Sequence, residues 1–204
     1  MSVIAITYPL ALPAAPAPAR TRFRLEYAIG RARSPFSRRG QRHDWGGRQW
    51  FAEVTLPPML RATADAWIVW AAKLHGGYGH FRLGDWDRRT SRGNPAGTPL
   101  VNGASQTGNG LAVDGFGAGA TLKEGDHVEL ENYLYLVAAD FAADGAGAGT
   151  IQLEPDLRSS PADDAALTVA SPKGLFELVE NSLPWDADAM AVHGITFAAQ
   201  EYLA

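Results

Sequence analysis

Gly46-Gly-Arg-Gln-Trp50-Phe-Ala-Glu-Val-Thr-Leu56-Pro-Pro-Met-Leu60-Arg-Ala-Thr-Ala-Asp-Ala-Trp67-Ile-Val-Trp-Ala-Ala-Lys-Leu74-His-Gly-Gly-Tyr-Gly-His80-Phe-Arg-Leu-Gly-Asp85 is the stretch that decides the fold. Its spacing predicts a strand, a prolyl corner, one amphipathic helix, a glycine break and a second strand. Trp50, Ala52, Val54 and Leu56 alternate with Gln49, Glu53 and Thr55. That alternation belongs to a sheet with one buried face. Phe51 falls on the second face. Pro57 and Pro58 suit a helix entry, because the first turn has no use for an amide donor. Leu60, Ala64, Trp67, Ile68, Ala71 and Leu74 recur at three- and four-residue steps and share a helical face. Arg61, Asp65 and Lys73 lie off it. Gly76 and Gly77 are predicted to stop the helix. A single helix on a β-rich body is a scaffold, and nothing in it looks catalytic.

Composition sets the outer bounds. The 204 residues suit one large domain or two small ones. Apolar content of 46% supplies a core, and abundant Gly and Pro with one helix predict a mainly β architecture. A net charge of −4 gives no reason for general nucleic-acid affinity. The chain has no cysteine, which excludes disulfides and thiolate metal sites. The opening residues lack a basic start followed by an apolar core, and no run approaches the roughly 18 apolar residues of a membrane helix. The expectation is a protein made in the cytoplasm without a secretion signal or membrane segment, free to end outside the cell within a particle.

Working outward, residues 3–8 form a short apolar run. Residues 9–18 hold four prolines and predict an extended piece, lying on its own surface or on a neighbouring subunit. Arg20, Arg22 and Arg24 alternate with Thr21, Phe23 and Leu25, as in a strand with an arginine face. Arg31, Arg33, Arg38, Arg39 and Arg42 follow in a stretch that reads as a loop. Nine of the fifteen arginines lie from Arg20 to Arg48. They suit a basic rim facing an acidic partner or DNA passing as cargo, or a solvated loop with ion pairs between subunits. Short strand candidates then appear at 100–101, 111–113, 127–130, 133–138, 150–155 and 167–169 between glycine turns. They predict a small barrel. Residues 175–180 and 194–203 read as strands, the last with Ile195, Phe197 and Ala199 on one face. The closing strand is expected to pair with the sheet begun at 20–56. The predicted organisation is therefore a β-sandwich or split-barrel domain with one helix from residues 1–92 and 172–204, and an inserted small β-barrel lobe from residues 93–171.

The sequence offers little chemistry. His75 and His80 flank a glycine turn, a weak metal pattern without an arranged carboxylate. Asp85 and Asp87 around Trp86 have the form of a glycosidase pair, and also of a plain surface turn. Asp140, Asp144, Asp163 and Asp164 lack the ligand spacing of a calcium loop. Gly103-Ala-Ser-Gln-Thr-Gly108 lacks the Gly-Lys-Ser/Thr ending of a phosphate loop, and Ser105 has no nucleophile elbow. The expectation is no catalytic residue, no cofactor and no metal.

Several blocks together carry a resemblance. Trp45-Gly-Gly-Arg-Gln-Trp50, then Glu53-Val-Thr-Leu-Pro-Pro-Met, then the Trp-bearing helix ending in Leu74-His-Gly-Gly-Tyr-Gly-His-Phe-Arg-Leu-Gly-Asp85, resemble tail proteins of long-tailed bacteriophages and prophages. Gln106-Thr-Gly-Asn-Gly-Leu-Ala, Leu122-Lys-Glu-Gly-Asp-His-Val-Glu-Leu, Leu153-Glu-Pro-Asp-Leu-Arg and Pro172-Lys-Gly-Leu-Phe-Glu-Leu are similar to later blocks of the same family. The likeness covers residues 41–201. It implies a distal tail protein, a structural virion protein of the tail tip or baseplate. Such proteins typically form a ring, often hexameric, that joins the tail tube protein to the hub or fibre proteins. Their tube-facing domain is a β-sandwich or split barrel with one helix, and many carry an outer β lobe.

A ring subunit needs strand edges, arms and mixed-charge faces that a copy of itself covers. Arg31, Arg33, Arg38, Arg39, Trp45, Trp86 and Trp185 are the candidate interface residues. The three tryptophans could equally cap the protein's own core. A carbohydrate-binding module or adhesin contacting a host surface glycan is the alternative, suggested by the glycine-rich lobe and the tryptophans. A hydrolase built on Asp85 and Asp87 is the third reading.

Overall fold

A computed structural model of the chain describes residues 5–187 and 192–203. The expected apolar run at 3–8 begins outside those residues. The molecule is mainly β with one α-helix, and falls into two compact units. One comprises Pro13–Tyr78 and Glu177–Tyr202; the other comprises Gly79–Phe176 with residues of the two termini.

In the first of these, β1 (Arg20–Arg33) and β2 (Gly40–Thr55) form a long antiparallel hairpin. A two-residue strand, β3 (Met59–Leu60), leads into α1 (Arg61–Leu74). The chain then runs through the second unit as β4 (His80–Leu83), β5 (Gly97–Val101), β6 (Gly110–Phe116), β7 (Thr121–Leu122), β8 (His127–Leu130), β9 (Tyr133–Val137), β10 (Phe141–Ala142), β11 (Gly149–Glu154) and β12 (Leu167–Thr168). It returns by β13 (Gly174–Leu178), β14 (Trp185–Ala187) and β15 (Val192–Glu201).

The closing strand does pair with the opening sheet. β15 lies antiparallel to β2, with Phe197 opposite Val54 and Ala199 opposite Ala52. Trp50, Ala52, Val54, Leu56, Ile195, Phe197 and Ala199 are all buried, so the alternation seen in sequence is the core face. α1 seats on that face: the Trp67 and Trp70 rings lie 6.2 and 5.5 Å from the Phe197 ring. Trp67 Nε1 donates to the Ala15 carbonyl at 3.0 Å, and Ala19 N–H donates to the Thr55 carbonyl at 2.9 Å. The proline-rich piece thus lies on its own helix and strand at these points. Glu201, itself buried, accepts from the Trp50 N–H at 3.1 Å, and its carbonyl accepts from Gln49 Nε2 at 2.9 Å. An N-terminal and a C-terminal segment are locked together by a buried carboxylate.

Three local expectations are corrected. Leu60 is 67% exposed and belongs to β3; Trp70 is buried on the helix face. The helix ends at His75, in the left-handed conformation, one residue before the expected glycines. Gly76 follows at φ +71°, and a Cβ there would also lie 2.9 Å from Asn181. The stretch 31–44 is not a loop: β1 and β2 continue through it, and only residues 34–39 turn. Strand alternation is absent there because both faces are in solvent.

In the second unit, six strands run in the order β12-β8-β9-β11-β6-β5. A bridge from Leu100 to Ala166, with Val101 N–H donating to the Ala165 carbonyl at 2.9 Å, nearly closes them into a barrel. Val101, Leu111, Val113, Val128, Val137, Ile151 and Leu153 fill its interior without exposure. Gly147 (φ +82°) is required at one turn, because a Cβ would fall 1.9 Å from the Phe116 carbonyl oxygen. The barrel strands lie within the expected 93–171 insertion. The unit also takes in residues 79–92 and 172–176. Asp126 explains part of this: its carboxylate accepts from the Arg92 and Lys123 N–H groups and from Ser91 Oγ, tying the 85–93 turn to the barrel. Arg82 pairs with buried Glu129, which also accepts from the Lys173 N–H at 2.9 Å.

Candidate assembly surface

The feature that stands apart is the outer half of the β1–β2 hairpin. From residue 26 to residue 47 every position is exposed except Gly30 and Ser34, which are half-buried. At Tyr27 the ladder is opposite Arg48, and at Ile29 it is opposite Asp44. β2 therefore spends Trp45, Gly46 and Gly47 where β1 spends only Ala28, a bulge that bends the ribbon and re-aims Trp45. Gly46 has φ +72°, and a Cβ on Gly47 would lie 2.9 Å from the Ala28 Cβ. The bulge is why two glycines follow Trp45. Asp44 Oδ1 accepts from the Gly46 N–H at 2.9 Å and fixes the bend.

Trp45 is 69% exposed, stands edge-on to His43 at 4.2 Å, and lies over Gly30, where a Cβ would come within 2.9 Å of its Nε1. Arg48 lies over the Tyr27 ring at 5.9 Å, and Arg24 over Phe51 at 4.9 Å. Residues 20–48 carry nine arginines against two carboxylates, Glu26 and Asp44, which makes this stretch +7. The whole chain is −4, so the remainder is −11. The protein is thus split into a cationic ribbon and an anionic body.

Arg31, Arg33, Arg38, Arg39 and Trp45 all fall on this ribbon. Trp185 lies on β14, paired with Ile195 and 51% exposed. Trp86 belongs to the other unit, half-buried, with the Arg89 guanidinium 4.9 Å above its ring. Five of the seven expected interface residues are therefore gathered on one element, whose sequence pattern reads as a loop. Phe36 and Tyr27 are exposed on it as well, outside the expected set. An aromatic at the centre of a Pro-Phe-Ser turn between arginines was the signal for Phe36.

No family model matches the chain, and no curated protein matches it.

The polar groups of the turns hold those turns together. Asp85 accepts from the Asp87 N–H at 3.1 Å and pairs with Arg88 at 3.3 Å. Burial opposes the charged form of Asp126, but hydrogen bonds from Arg92, Ser91, Lys123 and Gly93 outweigh it and hold the carboxyl below its usual value. Burial, reinforced by Arg88, pushes the adjacent His127 imidazole down to about 4, against a smaller opposing effect of Asp126. The His80 ring packs tilted against Tyr8 at 5.5 Å, while His75 caps the helix. Among the described residues no three of His, Asp or Glu are placed to hold a metal ion.

Proposed function

We propose that this chain is a structural, non-catalytic subunit of a long-tailed bacteriophage tail tip, a distal tail protein that assembles into a ring between the tail tube and the hub or fibre proteins. The observation that carries the reading is the solvent-exposed β1–β2 ribbon. A lone two-stranded hairpin is marginal in water, and its outer half touches no core of its own. Such an element is accounted for when a neighbouring subunit covers it. The ordered sequence blocks that resemble phage tail proteins supply the biological setting. The helix-bearing sheet plus a separate small barrel agrees with the plan of such proteins. In this reading the protein is made in the host cytoplasm and ends at the tail tip of the virion.

Antibody against the chain, visualised by electron microscopy on intact particles, tests the placement. Label confined to the distal end of the tail is expected; label along the whole tube, on the head or nowhere overturns it. Exposed Trp45 and Trp185 favour a second reading, a module that stacks on a host surface glycan. It predicts quenching of tryptophan fluorescence by host polysaccharide, lost in Trp45→Ala and Trp185→Ala.

A further inference from the structure

The ribbon ends in a shaped tip with one aromatic side chain. Ser34 N–H donates to the Arg39 carbonyl at 2.9 Å, Arg38 N–H to the Ser34 carbonyl at 3.0 Å, and Ser37 N–H to Ser34 Oγ at 3.3 Å. Arg38 is held at φ +56°. These bonds fix the turn without help from the body. At its centre Phe36 is 97% exposed, the most exposed of the large apolar side chains among the described residues, and Arg33, Arg38 and Arg39 flank it.

The same unit carries a pocket with the opposite character. It is about 250 Å³ and is lined by Leu183, Pro184 and Ala198 together with Ser182, Thr196 and the acidic Glu53 and Glu180, over buried Leu178 and Phe197. An apolar cavity of about 150 Å³ already accommodates a benzene ring. Among the described residues, Glu53, Glu180, Arg38 and Arg39 are in no ion pair.

We infer that Phe36 of one copy is the anchor that seats in the Glu53–Glu180 pocket of the next copy, with Arg38 and Arg39 meeting the two carboxylates. A chain cannot dock its own tip. β2 runs unbroken from Gly40 to Thr55, so Glu53 stands about 40 Å of strand from the turn. The occupant is therefore a second molecule. Charge argues for another copy of this chain, since the outer ribbon, residues 26–47, is +3 (five arginines, two carboxylates) and finds its complement in the −7 remainder of the same sequence. An aromatic anchor in an apolar pocket with a charged rim is the usual form of an interface hot spot. Tip and pocket are different surfaces, so the contact is head-to-tail and closes into a ring when the rotation permits. This inference rests on the self-assembly in the proposed function and names the contact that makes it.

The absence of cysteine permits a direct test. Ser37→Cys beside the anchor and Ser182→Cys at the pocket are introduced together in the full chain, which is oxidised at low salt. A ladder of disulfide-linked multimers is expected for the double variant and for neither single variant. A multimer by sedimentation without that ladder overturns the contact and leaves self-assembly standing. A disulfide at monomer mass overturns the contact as well. A chain that sediments as a monomer overturns both. A second set guards against misfolding. Phe36→Ala, at a side chain without body contacts, is expected to weaken association at least tenfold with unchanged circular dichroism. Glu180→Arg is expected to weaken it similarly and to be rescued by Arg38→Glu with Arg39→Glu. Undiminished association in Phe36→Ala, or no rescue, refutes the contact.

Discussion

Trp67 is where helix, closing strand and N-terminal segment meet, so its replacement tests the core of the ribbon-bearing unit. It is 1% exposed, packs edge-on to Trp70 at 5.7 Å and against Phe197, and donates to the Ala15 carbonyl. Trp67→Ala removes the whole indole from a site closed on several sides. Large-to-small changes of this kind cost about 3–5 kcal/mol. For a domain of this size each kcal/mol lowers Tm by roughly 2–4 °C, so a fall of roughly 6–20 °C is expected. Trp67→Phe keeps most of the apolar contact and loses the hydrogen bond, about 1 kcal/mol by itself. The gap between the two variants then reports packing, and the phenylalanine variant reports the tie to residue 15. Thermal melts by far-ultraviolet circular dichroism measure both. Limited proteolysis of residues 13–19 should quicken in the phenylalanine variant. A cost below about 1 kcal/mol for Trp67→Ala would refute the seating of α1 on β15.

Other consequences concern the barrel and the ribbon. The His127 imidazole binds its proton more weakly when folded than unfolded, so the unfolded chain takes up more protons between pH 6.5 and about 4. Stability is therefore full above pH 6.5 and falls by about 3 kcal/mol as pH drops to 4, a slope that His127→Gln should flatten in denaturant titrations. Asp126 acts in a lower window, below its ordinary value of 3.8, because its carboxyl is held down in the fold. Gly147→Ala puts a Cβ onto the Phe116 carbonyl at a positive φ and should destabilise the barrel by about 1–3 kcal/mol, read from urea midpoints. Trp45→Ala, on the exposed ribbon, should leave the melting temperature within about 1 °C while lowering the fraction assembled.

The parts of the fold that could be read from sequence are those where one face is buried. Trp50, Ala52, Val54 and Leu56 showed their sheet face by alternation, and β15 did the same through Ile195, Phe197 and Ala199. The barrel strands were visible because glycine turns separate short apolar runs. The outer ribbon was not, since a strand exposed on both faces leaves no period in the sequence. The same exposure hid the candidate site. Arg31 to Arg42 were noticed as charge, but their pairing across a ladder depends on backbone bonds that no side chain announces. The Trp45 bulge needed Gly46 and Gly47 for reasons visible only once Ala28 lay opposite. Nothing in the sequence around Glu201 marks it as buried. Its partner, the Trp50 amide, is 151 residues away in sequence, and only the folded sheet brings them together.

The central claim is that copies of this chain assemble through the β1–β2 ribbon. Sedimentation velocity of the purified full chain, beside a variant in which residues 28–47 are replaced by a tight Asn-Gly turn, tests it most directly. A discrete multimer for the full chain, shifting toward monomer at high salt, and a folded monomer for the variant are the predicted results. A full chain that stays monomeric at every concentration, or a multimer that survives removal of the ribbon, would contradict the account.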